Sequence, residues 1–156
     1  MSLNYRIFPV FCATASLLVM PLSHGGIEID GVLDEPEWAQ ATEFKDFVSV
    51  VPLTGSPAKY ATTVRVIANE DGIFFGFENY QPPQVRRIRR QFARDADVDA
   101  DRNIVSIDFE GNALVGYSFV VGSANSRQDA TLTNAKYSNA WDGTWYSQTH
   151  EDEEYW

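Results

Sequence analysis

The feature that most limits the fold is a two-residue alternation that doubles back on itself. Residues 62–68 carry Val64, Val66 and Ala68 at one parity and Thr63, Arg65 and Ile67 at the other. A period of two places the two sets on opposite faces of an extended strand. Asn69-Glu70-Asp71-Gly72 then supplies turn residues, and residues 73–80 form the return strand of an antiparallel hairpin. A second hairpin is predicted around Glu110-Gly111-Asn112, from strands over 103–109 and 113–121. Val105, Ile107 and Phe109 share one face of the first strand, and Val115, Tyr117, Phe119 and Val121 share one face of the second. Shorter strands are expected over 27–30, 44–51, 130–133 and 145–149.

Two short helices interrupt this pattern. Asp34 can cap a first one, with Pro36 in its opening turn, Glu37 three residues after the cap and Trp38 as its large apolar residue, ending near Ala41. After the Pro82-Pro83 break, Val85, Ile88 and Phe92 fall on one face of a second helix over 84–93. Many short strands separated by regular turns argue for an all-β fold: an immunoglobulin-like or jelly-roll-like β-sandwich carrying two short helices.

Composition narrows the function. A length of 156 residues fits one domain, and four Trp, seven Tyr and ten Phe supply ample apolar surface to bury. Twelve basic residues against 22 acidic ones give a net charge of −10, which repels phosphate backbones and argues against a nucleic-acid partner. Two His and one Cys leave little for a zinc or thiol site. Residues 1–25 have the form of a secretory signal peptide: Arg6 without an acid, an apolar run over 7–22, and Ser23-His24-Gly25 before Gly26. A transmembrane anchor is the alternative, but the run is short for a span of about 20 residues and has a proline near each end. An exported protein is therefore expected, destined for the periplasm, the outer-membrane surface or secretion. Its mature domain covers residues 26–156.

The segment Ile29-Asp30-Gly31-Val32-Leu33-Asp34-Glu35-Pro36-Glu37-Trp38-Ala39-Gln40-Ala41 resembles the opening of the family 9 carbohydrate-binding modules. The likeness continues through the 63–80 hairpin, through Arg94-Asp95-Ala96-Asp97 and Asp101-Arg102-Asn103-Ile104-Val105-Ser106-Ile107-Asp108, and ends on Trp141-Asp142-Gly143-Thr144-Trp145. The subgroup it most resembles stands N-terminal to a region like an outer-membrane barrel. The resemblance implies a non-catalytic module for oligosaccharides or polysaccharides, a barrel region encoded downstream, and a family pattern that continues past the position of Trp156. It thus implies C-terminal truncation, with the final strands of the sandwich lacking. An unpaired sheet edge would follow, and with it a homodimer through that edge.

Sugar sites stack a pyranose on an aromatic ring and orient its hydroxyls with planar polar groups. The resemblance implies a sugar held between two Trp. Trp141, between Asn139 and Asp142, is the first candidate ring, and Trp145 is the second; Arg94 is a further polar candidate. Packing onto the core is the competing role for both rings, and Trp38 is expected to anchor the core. No second Trp stands between Tyr80 and Phe92, where the sandwich of the family would need one. This favours the alternative, a structural periplasmic or surface domain of an outer-membrane protein with no sugar site of its own. Asp95, Asp97, Asp99 and Asp101 alternate along an acidic loop. The resemblance implies structural calcium there, a cation that takes about six to eight oxygens. The alternative is a solvated turn whose carboxylates cap strands and pair with Arg94 or Arg102. Arg86, Arg87, Arg89, Arg90 and Arg94 form the basic cluster, expected as a solvated face paired with acids. No carboxylate pair, serine elbow or phosphate loop stands in a catalytic motif, so no enzyme is expected.

Overall fold

The computed structural model describes residues 26–96, 99–134 and 136–156. The leader expected over 1–25 and the Asp97 of the acidic loop lie outside them. The fold is all-β, as the alternation requires. The strands are β1 (Thr42–Phe44), β2 (Val48–Val50), β3 (Leu53–Pro57), β4 (Thr62–Asn69), β5 (Gly72–Asn79), β6 (Arg102–Ile107), β7 (Val115–Gly122), β8 (Arg127–Thr133) and β9 (Lys136–Ser138). They form a three-stranded sheet β1-β4-β5, a β2-β3 hairpin and a four-stranded sheet β6-β7-β8-β9, with all pairs antiparallel. No helix among the described residues is long and apolar enough to cross a membrane.

The two expected hairpins fold for the reasons read from their turns. The Asn69 side chain accepts the backbone N–H groups of Asp71 and Gly72, closing β4 onto β5 with Val64 opposite Phe77 and Val66 opposite Phe75. Asp108 does the same for the second turn, accepting from Glu110, Gly111 and Ala113 and setting Val105 opposite Phe119 and Ile107 opposite Tyr117. The Ala113 amide leads the bonds that hold the Asp108 carboxyl below its usual range, against a smaller opposing effect of burial.

Of the two expected helices, one is present, as a five-residue 3-10 turn over Pro36–Gln40. Its N-cap is Glu35 rather than Asp34, and no side chain caps it. The Glu35 carboxylate is instead shared between the Glu28 amide (2.8 Å) and the Trp38 indole N–H (2.9 Å). This tie orients Trp38, which is buried against Gly76 of β5 beside Leu33. Residues 27–30 consequently form no strand; their bonds serve the turn that follows, as when Asp30 accepts the Val32 amide.

The second helix, over 84–93, is absent. Its backbone groups find partners in the residues that lead into β6 and β8 instead of within a helix: Ile88 exchanges bonds with Asp101, and the Phe92 amide donates to Ser126 Oγ (3.0 Å). Four arginines within residues 86–90 repel one another in a helical turn but separate when extended. Arg87 and Arg89 turn to the acidic tail, bonding the Asp152 carbonyl and the Glu151 carboxylate. The 3.6-residue spacing of Val85, Ile88 and Phe92 therefore carried no helix, because external partners satisfied the backbone better than an isolated short helix would.

The strand expected over 145–149 is extended but joins no ladder. Residues 141–150 alternate half-buried and exposed side chains along their whole length. They lie across β8, running antiparallel to it, and are held by side chains. Asp129 bonds the Gly143 amide, Arg127 the Trp145 carbonyl and Asn125 the Ser147 carbonyl, one rung every second residue. This segment and both sheets line a cleft of about 520 Å³, with Ile73, Phe75 and Phe77 on one side and Val105, Ile107 and Phe119 on the other.

Candidate functional site

Where residues 141–145 meet β7 and β8, aromatic and charged groups collect around one carboxylate. β7 presents Tyr117 and Phe119 on the face that alternation predicts, and Trp141 packs edge-on against both, at ring-centre distances of 4.9 and 5.9 Å. Trp145 meets the same Phe119 at 5.4 Å and carries the Arg127 guanidinium over its ring. Edge-to-face contacts of this kind follow from the negative face and positive rim of each ring.

Asp129 is the polar centre of this cluster, and its side chain is fully buried. It stands opposite Phe119 in the β7-β8 ladder. Its Oδ2 accepts three bonds, from Arg94 Nη2 (2.8 Å), the Gly143 amide (2.8 Å) and Trp145 Nε1 (3.1 Å). Its Oδ1 is buried without a hydrogen-bond partner among the described residues. Burial pushes the Asp129 carboxyl up, but the Gly143, Trp145 and Arg94 donors together outweigh it and hold the group below the usual carboxylate range.

Arg94 reaches Asp129 from a turn that is clamped to the edge of β8. The Asp95 amide donates to the Arg127 carbonyl, and the Asp129 amide donates to Asp95 Oδ1 (3.0 Å). From there Arg94 Nη2 also bonds the Gly143 carbonyl (3.0 Å) and Asp142 Oδ1 (2.5 Å). The Asp142 side chain is three-quarters exposed, so the cluster runs from a buried carboxylate to a solvated one through a single guanidinium.

The sequence-derived site residues therefore divide. Trp141, Trp145, Arg94 and Asp142 come together in one cluster, whereas Asn139 is exposed in the turn after β9. Trp145 is committed on its N–H and on one side of its ring, while Trp141 is half-buried and makes no hydrogen bond to the cluster among the described residues. Asp129, the residue that organises them, is missing from the expected site. No sequence signal marked it: on β8 Asp129 shares its parity with Arg127, Thr131 and Thr133, and the strand begins at Arg127, three residues before the expected start.

The acidic loop does not assemble as a calcium shell among the described residues. Asp95 Oδ1 is taken by the Asp129 amide, Asp101 Oδ2 by the Ile88 amide (2.7 Å), and Asp99 is exposed. No group of three or more metal-ligating side chains converges among the described residues.

No family model matches this chain, and neither a curated protein nor a solved structure does so.

Proposed function

We propose that the protein is a non-catalytic carbohydrate-binding module of an exported protein, and that the Trp141 region is its sugar-contacting surface. The observation that carries this reading is the meeting of a half-buried indole with a solvated ion pair: Trp141, with Asp142 and Arg94 joined at 2.5 Å. A sugar needs that combination, an apolar ring for its C–H face and fixed planar acceptors and donors for its hydroxyls. Arg94 is held at three points, so its remaining donor capacity is preorganised. The likeness of the opening segment to family 9 modules supports the same chemistry.

With the full-length chain, a panel of oligosaccharides is expected to include members that shift the Trp fluorescence and release heat in calorimetry. Trp141→Ala should weaken that binding at least tenfold, about 1.4 kcal/mol, with an unchanged far-ultraviolet spectrum. A broad panel that moves neither signal sinks the proposal.

A second reading has its own observation. Asp129, Trp145 and Arg127 are so fully engaged with one another that the cluster also works as a clasp for residues 141–150. On that reading the protein is a structural domain at the periplasmic or outer-membrane surface. A coding region for a membrane barrel continuing downstream would favour it.

A further inference from the structure

The β2-β3 hairpin pairs only with itself: its strands form a sheet of their own, and no other strand among the described residues joins them. A two-stranded hairpin is marginal in water unless its apolar face is covered. This one carries its apolar residues outward. Every residue from Val50 to Pro57 is exposed, with Val51 at 91% and Leu53 at 85%, and Phe47 and Val48 nearer its base are exposed as well. The hairpin stands off the Thr62 end of the first sheet. β1 runs towards that end, with Phe44 opposite Val64, and the Ala58 amide closes the hairpin on the Phe47 carbonyl (2.8 Å) just before β4 begins. Residues 154–156 run antiparallel to the end of β5, from Gln81 towards Gly72, and so head away from it.

The chemistry of this hairpin selects its partner. Residues 47–58 contain no Asp, Glu, Lys, Arg or His, in a chain whose net charge is −10. They also lack Trp, Tyr and Arg, the residues that most often anchor a protein interface, and the tip Val50-Val51-Pro52-Leu53 is wholly aliphatic. Hydrocarbon asks for apolar area alone. It also penalises every unpaired backbone group, and the turn presents few: Val50 pairs with Leu53, Pro52 has no N–H, and the Pro52 carbonyl accepts the Thr54 amide (2.8 Å). At the base, exposed Lys59 lies over the Tyr60 ring (5.1 Å) and makes no ion pair among the described residues. A lysine lays its stem on apolar surface and keeps its ammonium in water, and a tyrosine ring sits at headgroup level. The charge of −10 meets repulsion at an anionic surface, which leaves a zwitterionic one.

We propose that the β2-β3 hairpin is a membrane-docking tip: Val50-Val51-Pro52-Leu53 enters the acyl boundary of a zwitterionic lipid surface, with Lys59 and Tyr60 among the headgroups. Four residues are too few to cross a bilayer, so the docking is peripheral. It is independent of sugar binding at Trp141.

The probe is phosphatidylcholine vesicles, added to the full-length chain with an environment-sensitive fluorophore attached through Val51→Cys, and with Cys12→Ser removing the native thiol. The control carries the fluorophore through Glu70→Cys, in the β4-β5 turn at the other end of the sheet, and so separates docking by the hairpin from adsorption through residues 1–25. With lipid, emission from position 51 should shift to the blue and emission from position 70 should not. Adding Val50→Asp and Leu53→Asp should raise the lipid concentration for half of that shift by about tenfold or more, with an unchanged far-ultraviolet spectrum. Mixing phosphatidylglycerol into the vesicles at low salt should weaken binding. The proposal is overturned by no shift at position 51, by an equal shift at position 70, by full binding of the Asp variant, or by binding that needs phosphatidylglycerol. It is also overturned if position 51 is already blue-shifted before lipid is added. A dimer mass in light scattering would then give the tip to a second copy, and a monomer mass would give it to the chain's own residues.

Discussion

Asp129→Ala is expected to destabilise the segment it holds by about 3 kcal/mol, read as a lower urea midpoint of the Trp fluorescence transition. The substitution removes the acceptor for the Trp145 indole, the Gly143 amide and one Arg94 nitrogen at a stroke. Two of these donors sit in a buried environment, and an unsatisfied buried donor costs about 1–3 kcal/mol. The Arg94 side chain keeps about a third of its exposure and its bonds to Asp142 and Gly143, so its share is softened by solvent. Because one oxygen holds two points of residues 141–150, the damage should be local first. Trp fluorescence, to which Trp141 and Trp145 of this segment contribute, is expected to shift at lower urea than the far-ultraviolet signal, and coincident transitions would refute the clasp.

The same carboxylate sets part of the acid sensitivity. The Asp129 pKa lies below that of an unfolded Asp, about 3.9. A depressed carboxylate adds stability above the unfolded pKa and loses it as pH falls through the folded one. Wild type should therefore weaken below about pH 4, as Asp129 and other bonded carboxylates such as Asp108 and Asp152 take up protons. Asp129→Asn keeps an acceptor and discards the charge. It should lose less than alanine at neutral pH, and its deficit relative to wild type should shrink as pH falls from 5 to 2. A deficit that stays constant across that range would show that Asp129 titrates alike in the folded and unfolded chains, so that its carboxyl is not held low by the fold.

Strands β4, β5, β6 and β7 were legible because an apolar face of period two leads into or out of a turn whose Asn69 or Asp108 closes on the amides that follow it. Those signals are local, and local signals survive folding. The 84–93 helix failed because its period was real but its backbone partners, Ser126 and Asp101, are distant in sequence. The 145–149 alternation was legible as extended chain, yet the side-chain ladder to Asn125, Arg127 and Asp129 was not, since three polar residues on β8 and the turn before it carry no mark of which segment they will hold. For the same reason Trp141 and Trp145 could be nominated by type, and Asp129 could not. A buried acid is visible only once its donors are.

Gly31→Ala is expected to cost about 3 kcal/mol, a fall of about 10 °C in the thermal midpoint. Two penalties combine there. Gly31 has φ +90°, a conformation L side chains rarely adopt, and a Cβ would lie 2.7 Å from the His150 nitrogen and 2.8 Å from the Thr149 carbonyl carbon. Both contacts are backbone, so no rotamer change can relieve them. Nor can the segment retreat freely, because Thr149 bonds the Ser123 carbonyl and Ser147 bonds Asn125. Gly111→Ala is the matched control: its φ is +64° and nothing lies within 4 Å of a new Cβ, so it carries strain without the collision and should cost about 1 kcal/mol. The difference between the two variants measures how tightly residues 149–150 cross Gly31. If Gly31→Ala melts no lower than Gly111→Ala, that crossing is loose, and the clasp that Asp129 closes cannot extend to the end of its segment.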